Sequence, residues 1–219
     1  MFAMTSRIRG KVTARLFRFP VGQETELLNR RDSLMKSLES EIRNIAGSKL
    51  RKFIGWIKSE YRKEVKRFDQ MYCRQVSVNH NIVTDEGDAL IADTMANSPV
   101  RTKIVAAAGF MPVGTNWTGT TPKANGWVNT LTGTPKALEA TYPLLKGAWL
   151  AANDNVLQYR AIYAAGAFGS VTITEAAITS HSTDVAANSC LAYAQVTPSV
   201  AITASDTLQI DWELTFLGS

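Results

Sequence analysis

Residues 23–74 read QETELLNRRDSLMKSLESEIRNIAGSKLRKFIGWIKSEYRKEVKRFDQMYCR, a stretch without proline, rich in good helix formers, with apolar residues every three or four positions. That spacing predicts an amphipathic helix. Pro20 and Gly22 stand outside its start, and Glu24 and Glu26 fall in the first turn, where carboxylates complement the helix dipole. In the first half Leu27, Leu34, Leu38, Ile42 and Ile45 share one face. Past Gly47 the apolar positions are Leu50, Ile54, Ile57, Tyr61, Val65, Phe68 and Tyr72, an eleven-residue period repeated from Leu50 through Tyr61 to Tyr72. Eleven residues in three turns favours a nearly straight or slightly right-handed bundle over a heptad coil.

A continuous helix over this stretch would be roughly 75 Å long at about 1.5 Å per residue, and its narrow apolar stripe needs a partner along that length. Self-association is the economical solution, a parallel trimer before a dimer, and the eleven stripe residues from Leu34 to Tyr72 are the expected oligomerisation or anchoring surface. Docking on other subunits, or folding back on itself, would also cover the stripe. Gly47 in Ala46-Gly47-Ser48 is the weak point, either the turn of a hairpin or a kink. With only one strong breaker present, a continuous or kinked helix is expected.

Working outward, residues 1–22 read as a basic extended arm, with Arg7, Arg9, Lys11, Arg15 and Arg18 spaced among Ile8, Val12, Leu16, Phe17 and Phe19. On the other side, residues 75–219 read as a β domain. Val76 and Val78 alternate with polar residues, and Thr84-Asp85-Glu86-Gly87-Asp88 caps a short helix near 85–96. Strands are expected over 103–108, 144–150, 156–163, 171–178, 190–196, 200–204 and 208–217, with a long surface loop or loose hairpin over 109–133. The last strand is the clearest: Leu208, Ile210, Trp212, Leu214 and Phe216 share one face, Gln209, Asp211, Glu213 and Thr215 the other. The fold class expected is therefore α+β, a long coiled-coil-like N-terminal helix followed by a mainly antiparallel β-sandwich or jelly-roll-like domain.

Charge divides along the same line. Residues 1–74 hold 18 Lys+Arg against 8 Asp+Glu, or +10, whereas residues 75–219 hold 6 against 11, or −5. Such asymmetry suggests an anionic partner for the first part, or simply a solvated basic helix surface. Glutamates interspersed among the cations argue against a phosphate-tracking stripe, so nucleic acid is not an expected partner. No apolar run approaches the ~18 residues of a membrane span, and the N-terminus lacks the apolar core of a signal peptide.

Catalytic and metal-binding patterns are weak throughout. His80 and His181 stand far apart and in no ligand spacing, and Cys73 and Cys190 form no CxxC. Of the acidic cluster Asp85, Glu86, Asp88 and Asp93, the first three are explained by capping and dipole effects at a helix start more cheaply than by a cation. Asp211 and Glu213 resemble a glycosidase pair only in residue type. No catalytic residue, cofactor or metal is expected.

From Asn81 onward the string Asn81-Ile82-Val83-Thr84-Asp85-Glu86-Gly87-Asp88-Ala89-Leu90-Ile91-Ala92-Asp93, then Lys103 to Gly109, Ile173-Thr174-Glu175-Ala176-Ala177-Ile178, Leu191-Ala192-Tyr193-Ala194 and Asp206 to Phe216 resembles tailed-bacteriophage virion structural proteins of the tail-fibre, baseplate or head-associated kind. The resemblance covers about residues 79–217 and carries over no site residue. It implies a non-enzymatic, oligomeric virion component assembled in the host cytoplasm, with tail, portal-vertex or capsid proteins as partners. Two placements follow: a trimeric appendage anchored by arm and helix, or a decoration protein cementing the shell. A virion-associated hydrolase is a third.

Overall fold

The computed structural model describes residues 7–44, 51–119, 123–124, 126–146, 154–183 and 190–217. Strand β1, Arg7–Phe17, comes first. Helices α1, Glu24–Asn44, and α2, Arg51–Tyr72, follow. Next are β2, Cys73–Val83, and α3, Asp85–Thr94, then β3, Phe110–Gly114, β4, Leu131–Ala137, β5, Leu144–Leu145, β6, Val156–Tyr163, β7, Val171–Thr179, β8, Cys190–Ile202, and β9, Thr207–Leu217. The strands form one sheet in the order β4-β3-β7-β8-β2-β1-β9-β6-β5.

This corrects the expected fold class. The long N-terminal helix followed by a sandwich or jelly roll is replaced, among the described residues, by a single curled, antiparallel half-barrel sheet of nine strands with three helices. Curling brings the end of β4 and the segment after it onto β6, where Lys136 N–H donates to the Tyr163 hydroxyl at 3.2 Å and Glu139 N–H to Arg160 O at 2.9 Å. A sheet that curls this far covers its own apolar face, so a second layer is not needed. Into that face go Val12, Ala14 and Leu16 of β1, Tyr159, Ala161 and Tyr163 of β6, Ile173, Ala176 and Ile178 of β7, and Leu208, Ile210, Trp212 and Leu214 of β9. Each large side chain buried there contributes about 1.5–3 kcal/mol.

The expected basic arm is the strand β1, lying between β2 and β9 inside the sheet. Its alternation is genuine: Val12, Ala14 and Leu16 are buried, while Lys11 is exposed and Arg15 half-buried. Of the charges that suggested an arm, Arg9, Lys11 and Arg15 alternate with these buried residues, on the face opposite the core. Two further corrections concern the loops. The strand expected over 103–108 is coil and turn, and β3 begins just after it, with Met111, Pro112, Val113 and Gly114 all buried. The strands expected over 190–196 and 200–204 are one, β8, running through Pro198. Residues 147–150, at the end of the strand expected over 144–150, lie outside the described residues.

The helical stretch also departs from expectation. α1 and α2 pack on each other with the start of α1 against the end of α2, as Arg31 meets Asp69, so they run in opposite directions. A hairpin lets each apolar stripe cover the other within one chain, which removes the need for a partner along the full length. Gly47 itself lies outside the described residues.

The chain divides into two compact units, residues 1–16 with 75–219, and Phe17–Arg74. Moving β1 into the sheet unit changes the charge division. That unit holds 10 Lys+Arg against 11 Asp+Glu, or −1, and the helical unit 14 against 8, or +6. Within the sheet unit α3 packs on β8 through Gly87, where a Cβ would run into the Leu191 carbonyl. Its N-cap is Thr84, whose hydroxyl accepts from Gly87 N–H at 2.9 Å.

Candidate functional site

In the helical unit the chain enters α1 through Phe17 and Phe19, whose rings stack at 5.4 Å. Phe19 also meets Tyr72 at 5.6 Å, and Phe68 lies 4.9 Å from Tyr72. Arg18 N–H donates to Tyr72 O at 2.9 Å, closing the two ends of the helical segment on each other. Arg31 is buried, forks onto Asp69 at 2.9 and 3.3 Å, and lies 5.4 Å over the Phe17 ring. A planar guanidinium serves here because it satisfies the carboxylate bidentately and stacks on an aromatic face at once.

Beside this cluster an open groove of about 330 Å³ runs between α1 and α2, lined by Arg30, Leu34, Glu64, Arg67, Phe68, Gln70, Met71 and Tyr72. Met71 is 65% exposed. Arg67 holds Glu64 at 2.9 Å, and Arg30, exposed, has no acidic partner among the described residues. Of the stripe residues, Leu34, Phe68 and Tyr72 come together at this groove, whereas Tyr61 and Val65 are half-buried elsewhere along α2. Leu38, Ile42, Ile54 and Ile57 fall on helical backbone, but their side chains lie outside the description, and Ile45 and Leu50 lie outside the described residues. The spacing of the stripe missed Arg30, Gln70 and Met71, because a groove between two helices recruits positions flanking both stripes.

Arg15 of β1 serves another purpose. On the outer face of the sheet Arg15 and Arg160 both hold Asp211, Arg160 at 2.6 Å. Lys146 and Gln158 hold Glu213 at 2.6 and 2.9 Å. Burial raises the Asp211 carboxyl, but the Arg160 and Arg15 guanidiniums outweigh it and hold the group below the usual carboxylate range. Burial likewise raises Glu213, and hydrogen bonds from Lys146 and Gln158 bring it below its ordinary value. Two carboxyls both held ionised lack the protonated partner a glycosidase acid requires. Arg9 and Lys11 are exposed on β1 and Arg18 at the entrance to the helical unit; the Arg7 side chain is outside the description.

The acidic residues at α3 are similarly engaged. Lys123 reaches Asp88 at 2.8 Å and Asp85 at 3.7 Å, Arg101 binds Glu86, and Asp93 accepts from Val100 and Arg101 N–H. Among the described residues no group of three His, Cys, Asp or Glu is arranged for a metal ion. His80 faces Gly10 O at 3.3 Å and His181 the Ser180 hydroxyl at 2.9 Å. No disulfide joins Cys73 and Cys190, and burial pushes the Cys190 thiol up to about 12.

One further buried group carries no mark in the local sequence. Glu175, fully buried on β7, accepts from the N–H groups of Asn116, Asn129 and Thr130 at 3.1–3.3 Å, from the Asn129 amide at 3.1 Å and from the Tyr193 hydroxyl. It pins the ends of the segment between β3 and β4 to the sheet, a structural task that no local pattern announces.

Comparison with protein-family models, with curated proteins and with solved structures finds no match for this chain.

Proposed function

We propose that the protein is a non-enzymatic structural component of a bacteriophage virion that docks on its neighbours through the helical hairpin. Support for the virion comes from the sequence strings over residues 79–217. The observation that carries docking is the open groove between α1 and α2, an apolar floor beside exposed cations on a unit of net charge +6. Between the two placements, clasping of neighbouring subunits fits better than a trimeric stalk. A stalk depends on one continuous stripe, and helices of 21 and 22 residues folded against each other span only roughly 30 Å.

Particles purified on a density gradient from the lysate in which the chain is made test this. The chain should comigrate with them at a fixed copy number, and that number separates a tail or vertex position from the shell. A chain that stays at the top of the gradient contradicts the virion reading.

A further inference from the structure

The groove's own chemistry selects its occupant. We propose that it binds an acidic amphipathic segment of a partner protein, one apolar side chain seated among Leu34, Phe68, Met71 and Tyr72 and a flanking carboxylate meeting Arg30. This deepens the docking role proposed above and rests on it.

Three observations lead there. First, about 330 Å³ is at the lower end of ligand-pocket size, room for an apolar anchor but not for a whole domain face. Met71, long, unbranched and 65% exposed, is the kind of side chain that adapts to an incoming apolar group.

Second, the charge is one-sided. The helical unit carries 14 Lys+Arg against 8 Asp+Glu. Lys63 is partnered by Glu60 and Arg67 by Glu64, but Arg30 at the groove has no acidic partner among the described residues. A second copy would bring +6 against +6, whereas a segment with carboxylates beside its apolar residue supplies the missing partner and is steered toward the groove.

Third, the floor does not suit nucleic acid. Phe68 is 4% exposed and packed against Tyr72 and Phe19, so no face of its ring is open for a base to stack on. Phosphate binding needs cations and gains nothing from an apolar floor.

The test is fluorescence anisotropy with the full chain and a labelled helix-forming peptide carrying Leu and Phe at i, i+3, i+4 and i+7 and Glu beside them. The same peptide with Lys for every Glu, and a DNA duplex, serve as competitors. The Glu peptide should bind, weaken as salt is added, and lose about tenfold in affinity with Arg30→Glu. Lys103→Glu, the same charge change at an exposed position of the sheet unit, should leave binding unchanged. Both variants should melt as the natural chain does, since both side chains are exposed. Equal binding of the Lys peptide, indifference to Arg30→Glu, displacement by DNA, or a self-associated chain that Arg30→Glu dissociates would each overturn the assignment. Because no particle enters this assay, its failure leaves the virion reading standing, and a chain missing from particles leaves the groove's chemistry standing.

Discussion

At Asp211 three side chains from three strands converge on one carboxylate: Arg15 of β1, Arg160 of β6 and its own neighbour Gln209. Its folded pKa lies below the ordinary value, so its contribution to stability is present above about pH 4 and is lost as pH falls through the lower, folded value. Asp211→Asn should reduce the unfolding free energy at neutral pH by about 2 kcal/mol, the scale of hydrogen bonds to a charged group. It should also flatten the acid limb of a urea-unfolding series below about pH 4; an unchanged acid limb would show that the Arg–Asp–Arg arrangement is not formed. Alternation in 208–217 placed Asp211 opposite Trp212, and the structure agrees. What alternation cannot reach is the partner, because Arg15 lies 196 positions away and only the sheet order brings it near. The same limit hid Glu175, whose donors come from a segment with no periodicity of its own.

Elements were legible where a single period governs them. The strand over 156–163 matches β6 in both bounds, and Thr84 caps α3 as its sequence suggests. Strands with mixed faces were not. In β2 the alternation of Val76 and Val78 is present, yet both are exposed, and it is Ser77, donating to Pro198 O, that faces inward. For α1 and α2 the helical period was right and the length wrong, because an apolar stripe is equally satisfied by another chain or by its own continuation folded back. The buried Arg31–Asp69 fork separates these outcomes, since it exists only in the hairpin. Arg31→Ala should therefore speed amide exchange throughout α1 and α2, with a local loss of about 2 kcal/mol, and leave β6 and β9 as protected as before. Uniform loss of protection across the sheet would mean that the helices do not form a separate unit.

Over the whole molecule, the division by charge is what the order of the strands revises. Reading +10 against −5 along the chain assigns every early cation to an appendage, whereas β1 carries four of them into the sheet unit and leaves +6 on the helices. The helical segment is thus an insertion between two neighbouring strands, closed at its base by Arg18 N–H to Tyr72 O at 2.9 Å. Two deletions distinguish an insertion from an N-terminal appendage. Replacing Phe19–Met71 by a two-residue Asn-Gly turn should keep a cooperative thermal melt and the near-ultraviolet signal of the buried Trp212. Removing residues 1–74 should abolish both, because it strips Val12, Ala14 and Leu16 from the core and leaves β2 and β9 without their shared neighbour. A chain of residues 75–219 that melts as cooperatively as the full protein would contradict this account.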